Sequence, residues 1–251
     1  MSLNDHLIIP DWPAPPNVRA IQTTRQGGVS CAPYDSLNLG AHVGDAPLAV
    51  ARNRMLLNGI LPSEPVWLEQ VHGTAVADAD HASCVPRADA CIARRGVCVV
   101  MTADCLPLLL CDKQGSVVAA VHAGWRGLAA GVIEATVLAM GVAPDNLLAW
   151  LGPAISQPAF EVGEEVRAVF VDADATATAA FTPGASGKWQ ADIYALARRR
   201  LHALGVTRVY GGERCTCRES DLFFSYRRDG VTGRMGSFIW LENQQMSGAG
   251  G

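Results

Sequence analysis

The sequence lacks any uninterrupted run of eighteen or more apolar residues, although hydrophobic residues make up 49% of its 251 positions. Because a membrane-spanning helix needs such a run, we expect no membrane span. The opening residues also lack the basic segment and the apolar segment of a secretory signal. We therefore expect a cytoplasmic protein whose eight cysteines are reduced thiols and do not form a disulfide framework.

Charged residues are scarce, at 18% of the chain, and the formal net charge is -4. A strongly basic surface is therefore not expected, and neither is a nucleic-acid partner. The C-x-C pair at Cys215 and Cys217 has no second pair that would complete a structural zinc knuckle. These observations leave a globular chain whose cysteines are buried packing groups, metal ligands or catalytic groups.

Segments with strand-like and helix-like spacing alternate along most of the chain. This alternation predicts a single α+β domain over residues 1–251, built from layers of mixed sheets flanked by helices. The ends, at about 1–16 and 243–251, are predicted to be flexible because they are polar or rich in proline. The irregular loop over residues 25–45 is long enough that we expect it to be functional or mobile.

Local patterns predict three further elements. Residues 65–80 are predicted to form a strand that contains Glu69 and His72. Residues 126–141 predict one apolar helix, and residues 223–241 predict a hairpin of aromatic strands that closes the domain.

The stretch TADCLPLLLCDKQGSVVAAVHAGWRG, residues 102–127, predicts a buried hairpin with reactive side chains at its open end. Cys105 precedes the first apolar strand and His122 ends the second, with the turn residues KQGS between them. The two side chains can therefore face each other. His72 also ends an apolar segment, and the glycine after it would let a ligand or metal approach closely.

Two imidazoles and one thiolate are ligands that suit zinc, and three protein ligands leave a fourth position open, as in catalytic zinc sites. Zinc at this place would hold Cys105 as a thiolate and activate a water molecule. Asp104 or Glu69 would orient a histidine or move protons. Because the spacing matches no short zinc signature, the alternative is a buried thiol beside hydrogen-bonded histidines.

Six blocks spread over nearly the whole chain carry a resemblance to a known family: RQGGVSCAPYDSLNLGAHVGD, LEQVHGTAV, DACIARRGVCVVMTADCLPLLLCD, VVAAVHAGWRGLAAGVI, LGPAIS and FFSYRRDGVTGRMGSFIWL. In this order, they resemble the laccase-domain proteins, once called multicopper polyphenol oxidases. Members of that family are described as purine nucleoside phosphorylases with adenosine deaminase activity, and in some bacteria as a peptidoglycan editing factor.

The resemblance implies an α+β fold similar to that of bacterial cysteine-dependent deamidase toxins. It also implies one zinc ion, held by the histidine of QVHG, the cysteine of ADC and the histidine of VHAGW. In this sequence these residues are His72, Cys105 and His122, the same three that the pattern of strand ends indicates.

The substrates that the resemblance implies are adenosine, inosine and methylthioadenosine, with phosphate as the second substrate of phosphorolysis. Arg25, Asn38 and Arg228 fall at motif positions that would hold phosphate or ribose. In deamination, activated water would attack C6 of the purine while Asp104 or Glu69 moves protons. The H-x-E and P-C-x-x-C signature of the known zinc deaminases is absent from the sequence.

The name multicopper oxidase does not fit the histidine content. Such an enzyme needs a mononuclear copper site and a trinuclear cluster with many imidazole ligands. Six histidines, without one H-x-H pair, are too few to supply them.

Two other functions remain open from the sequence. The first is a metal-free hydrolase in which Cys105 attacks an amide, such as one in a peptidoglycan precursor, and His122 is its base. The second is a non-catalytic module that binds nucleotides through its arginines. Zinc content and substrate turnover separate the three hypotheses.

Overall fold

The computed structural model describes residues 3–242 of the chain. The strands within these residues are β1 (Leu7–Ile8), β2 (Val18–Thr23), β3 (Val76–Asp78), β4 (Ala90–Ala93), β5 (Val97–Thr102), β6 (Leu106–Asp112), β7 (Val118–Ala123), β8 (Leu147–Leu151), β9 (Glu161–Val162), β10 (Phe181–Pro183), β11 (Trp189–Ala191), β12 (Arg208–Gly211) and β13 (Met235–Leu241). The helices are α1 (Pro47–Met55), α2 (Trp125–Ala130), α3 (Val132–Met140), α4 (Glu164–Ala173), α5 (Ile193–Leu204) and α6 (Tyr226–Asp229).

A six-stranded mixed sheet forms the centre of the fold, in the order β12-β8-β6-β7-β4-β3. The predicted hairpin is its middle: β6 and β7 pair antiparallel, with Leu106 opposite Ala123 and Pro107 opposite His122. This register brings Cys105, directly before β6, to the same end of the sheet as His122.

Alternate residues of the central hairpin face different layers, as the period of a strand requires. Leu108 and Leu110 pack in the cluster that contains the inner faces of α3 and α5. Leu109 and Cys111 pack in the cluster that contains residues of the second sheet. Because both faces are covered, every residue of β6 and β7 is buried, and the sheet end that carries Cys105 and His122 is fixed by packing.

The second sheet has four antiparallel strands in the order β1-β2-β13-β5, and a small third sheet has the order β10-β11-β9. Together with the helices, these layers confirm the predicted α+β class. The similarity to deamidase toxins stays a prediction. No helix within residues 3–242 is long and apolar enough to cross a membrane.

The predicted flexible ends fall partly within the described residues. In the lead-in, residues 3–6 form a 3₁₀ helix and β1 pairs with β2. Residues 1–2 and the predicted flexible tail 243–251 lie outside the described residues. All eight cysteines are free thiols.

The prediction of one helix over residues 126–141 is wrong because Gly131 interrupts it. Gly131 has φ 101°, in the left-handed region, so that α2 ends at Ala130 and α3 begins at Val132. A left-handed residue cannot continue a right-handed helix, and glycine adopts that conformation without a steric penalty.

The prediction of a closing hairpin over residues 223–241 is also wrong. The hydroxyl of Ser225 accepts the backbone N–H of Arg228 and begins the short helix α6. Only β13 forms a strand, and it pairs with β2 and β5. The segment therefore forms a helix capped by serine, although its aromatic composition is typical of a strand.

The strand predicted over residues 65–80 is reduced to β3, so Glu69 and His72 lie in loop segments. The side chain of Gln70 takes the place of a strand partner: its Nε2 donates to Met101 O at 2.8 Å, and its Oε1 accepts from Met101 N at 2.8 Å. The segment before His72 is thus attached to β5 by a side-chain amide and not by a regular ladder.

Candidate metal centre

Three side chains from separate parts of the chain meet at one end of the central sheet. His122 is the penultimate residue of β7 and is 3% exposed, Cys105 precedes β6, and His72 lies on the loop before β3. One ligand atom from each, an imidazole nitrogen or Sγ, lies within 4.8 Å of the other two. The distance from Sγ of Cys105 to Nε2 of His72 is 3.7 Å.

The backbone around two of these positions is unusual. His72 has φ 60°, and Asp104, next to Cys105, has φ 91°. Residues other than glycine adopt positive φ rarely, at a cost of about 1–3 kcal/mol, and such residues cluster at functional sites. The neighbouring structure must therefore hold both residues in place.

Small residues leave room for the three donors. A β-carbon added at Gly124, two residues after His122, would lie 2.8 Å from Cδ2 of His72 and 3.0 Å from Sγ of Cys105. Both distances are shorter than normal contacts. The glycine of the VHAGW block is thus required by the close approach of the donors.

The electrostatics of the cluster favour a thiolate. Burial raises the pKa of the Cys105 thiol, but the charge and hydrogen bond of His122, together with His72, lower it to about 6. Burial lowers the pKa of His122, whereas Cys105 and Asp89 raise it to about 9. Cys105 is therefore held in the form that binds metals and acts as a nucleophile.

Asp89, directly before β4, is in contact with this cluster and was not singled out by the sequence. It is fully buried, and its Oδ1 lies 2.8 Å from Nδ1 of His122. Its carboxylate also accepts the backbone N–H groups of Val71, His72 and Gly73, at 3.1, 2.9 and 2.6 Å. The available signal was an acid at the start of a wholly apolar strand, which needs buried partners.

The donor set fits a metal ion of the zinc type. His72 and His122 supply two imidazoles, and Cys105 supplies a thiolate. Asp89 is in contact with Nδ1 of His122, so Nε2 remains for a metal. Within residues 3–242, this is the one group of three or more histidine, cysteine or acidic side chains that is close enough to hold an ion.

A cavity of about 130 Å³ opens beside Cys105. Its walls are mostly apolar and aromatic, with one acid and one arginine; they are Ala103, Asp104, Cys105, Trp125, Ile155, Phe160, Ile193, Tyr226 and Arg227. Such a lining, with a few polar groups at a reactive side chain, is typical of small-molecule sites.

Asp104 lies in the wall of this cavity, and both of its oxygens have protein partners. Oδ1 accepts from Oγ1 of Thr216 at 2.6 Å, and Oδ2 accepts from the backbone N–H of Arg227 at 2.6 Å. Glu69, the other acid that the sequence proposed, is exposed on the surface, 3.9 Å from Nε of Arg87. Of the two, Asp104 is the acid placed to meet a ligand.

Arg25 and Arg228 are predicted phosphate ligands, but their guanidinium groups are bonded to the protein. Arg25 donates to the carbonyls of Asp35 and Ser220 and lines a separate cleft of about 470 Å³. Arg228 donates to the carbonyls of Thr216, Cys217 and Phe223 and pairs with Asp229. Neither side chain lines the cavity beside Cys105.

Asn38, the third predicted phosphate or ribose ligand, is fully buried inside the 25–45 loop. Its Nδ2 donates to Asp45 at 2.9 Å, and its Oδ1 accepts from the backbone N–H groups of Gly40 and Arg234. Asn53 of α1 bonds to the same loop at Val29, Ser30, Ser36 and Asn38. This part of the loop is thus held by an internal polar network.

Comparison with known proteins identifies the family. A family model described as multi-copper polyphenol oxidoreductase laccase matches residues 19–242. The chain belongs to this laccase-domain family. The resemblance seen in the sequence blocks is thereby confirmed.

Relatives within the laccase-domain family match almost end to end. A purine nucleoside phosphorylase of Pseudomonas aeruginosa is 59% identical over 239 residues, which cover 94% of this chain and 98% of that protein. The purine nucleoside phosphorylase YfiH of Escherichia coli is 57% identical over 242 residues, with the same two coverages.

Solved structures show the same fold. The crystal structure of Neisseria meningitidis protein NMB0706 has a TM-score of 0.93 and 52% identity, and the match covers 95% of this chain and 100% of that one. That of YlmD from Geobacillus stearothermophilus has a TM-score of 0.82 and 32% identity, with 91% and 93% coverage.

Proposed function

We propose that this protein is a zinc-dependent purine nucleoside phosphorylase that also deaminates adenosine, with adenosine, inosine and methylthioadenosine as its nucleosides. The observation that carries the proposal is the convergence of His72, Cys105 and His122 beside a cavity with aromatic walls. The names of relatives that are 57–59% identical support the phosphorylase activity. The cytoplasm is the compartment that we propose for it.

In this proposal, His72, Cys105 and His122 would hold zinc through one imidazole nitrogen of each histidine and Sγ of the cysteine. Bound zinc supplies a Lewis acid that can polarise a substrate atom or activate water. The protein contributes the lowered pKa of the Cys105 thiol, which favours the thiolate, and the contact with Asp89 that orients His122.

The cavity would bind the purine base. Trp125, Phe160 and Tyr226 offer aromatic faces on which a flat heterocycle stacks, and Ile155 and Ile193 exclude water from it. A base placed there lies beside Cys105, which also lines the cavity.

Phosphate needs a cation near the ribose. Arg25, Asn38 and Arg228 remain sequence predictions for this role, but their present partners would have to be released first. We assign phosphate contact to Arg227, an exposed residue that lines the cavity and whose Nη1 donates only to a backbone carbonyl, that of Glu161, at 2.9 Å.

In phosphorolysis, a phosphate oxygen forms a bond to C1′ of the ribose as the bond from C1′ to N9 breaks, and the purine leaves with that electron pair and a proton. In deamination, water adds at C6 and ammonia leaves, so that adenosine becomes inosine. We propose that Asp104 accepts or returns the proton in these steps, because it is the acid in the cavity wall.

Product analysis tests the proposal. Purified protein of measured zinc content is incubated with adenosine, with and without phosphate, and the products are separated by chromatography. We expect adenine and ribose 1-phosphate only with phosphate, and inosine and ammonia in both cases. The absence of all four products from zinc-loaded protein would rule out the proposed enzyme and favour a binding module.

One observation favours a second candidate, a metal-free cysteine hydrolase. Cys105, His122 and Asp89 form a chain of thiolate, imidazole and carboxylate, the order of groups in nucleophilic hydrolases. In that reaction, Sγ attacks an amide carbonyl, the C–N bond breaks as His122 protonates the leaving amine, and water then hydrolyses the thioester to release the acid and the free thiolate. Protein that contains no zinc, is inactivated by iodoacetamide and cleaves an amide, such as one of a peptidoglycan precursor, would support this candidate.

A further inference from the structure

We propose that Asp89 is a positioning residue that sets both histidines of the candidate metal centre at once. The proposal rests on the proposed function in one respect, that His72 and His122 bind a metal. It goes further by assigning the arrangement of two separate chain segments to one buried carboxylate.

The contacts of Asp89 saturate its carboxylate. Oδ1 accepts from the backbone N–H of His72 and lies 2.8 Å from Nδ1 of His122, while Oδ2 accepts from the backbone N–H groups of Val71 and Gly73. A carboxylate has about four lone-pair positions, so these four donors use them all. The backbone of Asp89 adds a further link, because its carbonyl accepts the backbone N–H of His122 at 2.7 Å.

The contact with His122 decides which nitrogen can bind a metal. An ionised carboxylate can only accept a hydrogen bond, so Nδ1 of His122 must carry the proton. In the neutral imidazole, the form that binds a metal, the lone pair is then on Nε2, the nitrogen that remains for a ligand. Asp89 thus fixes the tautomer as well as the ring orientation of His122.

The contacts with residues 71–73 fix the second histidine. Three successive backbone N–H groups point at one carboxylate, and the middle residue, His72, has φ 60°. The charge-assisted bonds offset the cost of that backbone conformation. Because His72 is exposed, its neighbours in the core cannot hold it as they hold His122. We therefore assign its position to Asp89.

Replacement of Asp89 by Asn separates this role from simple packing, because the two side chains have the same shape. An asparagine has one acceptor oxygen, so two of the four donors must face an NH₂ group. If the NH₂ group of the asparagine replaces Oδ2, the backbone N–H groups of Val71 and Gly73 lose their acceptor. In the other orientation, the NH₂ group faces Nδ1 of His122 and favours the tautomer with the proton on Nε2.

Asp112 offers a matched control. It is 1% exposed and lies at the other end of β6 from Cys105, where it accepts the backbone N–H groups of Ser116 and Val117 and the Ser116 hydroxyl. Asp112→Asn therefore removes a buried carboxylate with comparable bonds, but one that touches none of the three donors.

The first measurement is zinc affinity, by competition with a chromogenic chelator, for the wild-type protein and both variants. We expect Asp89→Asn to weaken binding by about 10–100-fold, the usual effect of losing a carboxylate partner of a ligating histidine. Asp112→Asn should leave the affinity unchanged. In the cobalt-loaded proteins, the absorption bands should change only with Asp89→Asn. Equal zinc affinity for wild type and Asp89→Asn, or equal weakening by the two variants, would overturn the proposal.

The second measurement needs no metal, so it tests the positioning role of Asp89 separately from the proposed metal centre. Hydrogen exchange of the amides of residues 71–73 is followed in metal-free protein. We expect Asp89→Asn to accelerate it about tenfold or more, because hydrogen bonds from these amides to a charged carboxylate are lost; Asp112→Asn should not. Unchanged exchange would refute the positioning of the His72 loop. A wild-type protein that binds no zinc would refute the metal centre, while the exchange rates would still decide the role of Asp89.

Discussion

Gly124 leaves no room for a side chain beside His72, although the two residues belong to different segments of the chain. A β-carbon at position 124 would lie 2.8 Å from Cδ2 of His72. We predict that Gly124→Ala lowers zinc affinity by about tenfold or more, because overpacking of 1–3 kcal/mol must be relieved by moving a donor. Gly59→Ala is the control, since an added β-carbon there meets no atom within 4 Å. Zinc titration of both variants checks this, and equal affinities would contradict it.

Removal of the metal, or of one of its ligands, should stop both proposed reactions. We predict that chelation and His122→Ala each reduce phosphorolysis and deamination by more than about 100-fold, since even the loss of a partner of a metal ligand costs up to that much. Turnover of adenosine with and without phosphate measures both activities. Full phosphorolysis by metal-free protein would show that the two reactions do not share this site.

Asp104 gives a test of proton transfer that is separate from metal binding. We predict that Asp104→Asn lowers kcat by about 100-fold or more and leaves the zinc content unchanged, since general acid–base groups contribute that much. Asparagine also tolerates the positive φ at this position.

Thr216→Val is the companion variant for Asp104, because it removes the hydroxyl that donates to Oδ1 and retains the carboxylate. Its kcat should fall much less than that of Asp104→Asn. Similar losses for the two variants would show that the contact matters for structure and not for catalysis.

Arg227 is the arginine that we expect to contact phosphate. Arg227→Ala should raise the KM for phosphate about tenfold or more, because a hydrogen bond to a charged group is worth about 1.5–3 kcal/mol. The KM for adenosine in deamination, which uses no phosphate, should change less. Arg52→Ala, an exposed arginine of α1, serves as the control. An unchanged KM for phosphate in Arg227→Ala would contradict this assignment and favour Arg25 or Arg228 as the phosphate ligand.

Asp80 should make the stability of the protein depend on pH. Burial raises the pKa of Asp80, but the backbone N–H groups of Gly96, Arg94 and Arg95 and the charge of Arg95 lower it overall. A carboxyl group with a lowered pKa in the folded state stabilises the protein above its unfolded pKa, and this stabilisation is lost as the pH falls through the folded value.

We therefore expect Asp80→Asn to cost about 1–2 kcal/mol at neutral pH, with a smaller difference from wild type below about pH 4. Urea unfolding of both proteins across that range measures the difference. A difference that stays constant with pH would show that the charge of Asp80 does not contribute.

The sequence predicts the three candidate metal ligands because each of them lies at a position marked by a local sequence pattern. The alternation of apolar residues places Cys105 and His122 at one end of a hairpin, and the structure has that hairpin with both residues at the same end of the sheet. The glycine after His72 marks a close approach, and the three donors do converge. The α+β class follows from the same alternation.

The remainder depends on contacts that no local pattern contains. Asp89 is defined by donors from the His72 loop and from β7, so its role emerges only in three dimensions. Arg25 and Arg228 carry the right charge for phosphate, but backbone carbonyls elsewhere in the chain already bind them. In the predicted final hairpin, a single serine cap outweighs the composition of the segment.

The attachment of Gln70 to Met101 also bears on how the molecules behave at high concentration. β5 lies at the edge of its sheet, where unpaired backbone groups would recruit a strand from another copy of the chain. Val66 bridges to β5 at Cys98, and the amide of Gln70 satisfies both backbone groups of Met101. The segment that leads to His72 therefore covers the outer edge of β5, so it also keeps a strand of another copy of the chain from pairing there.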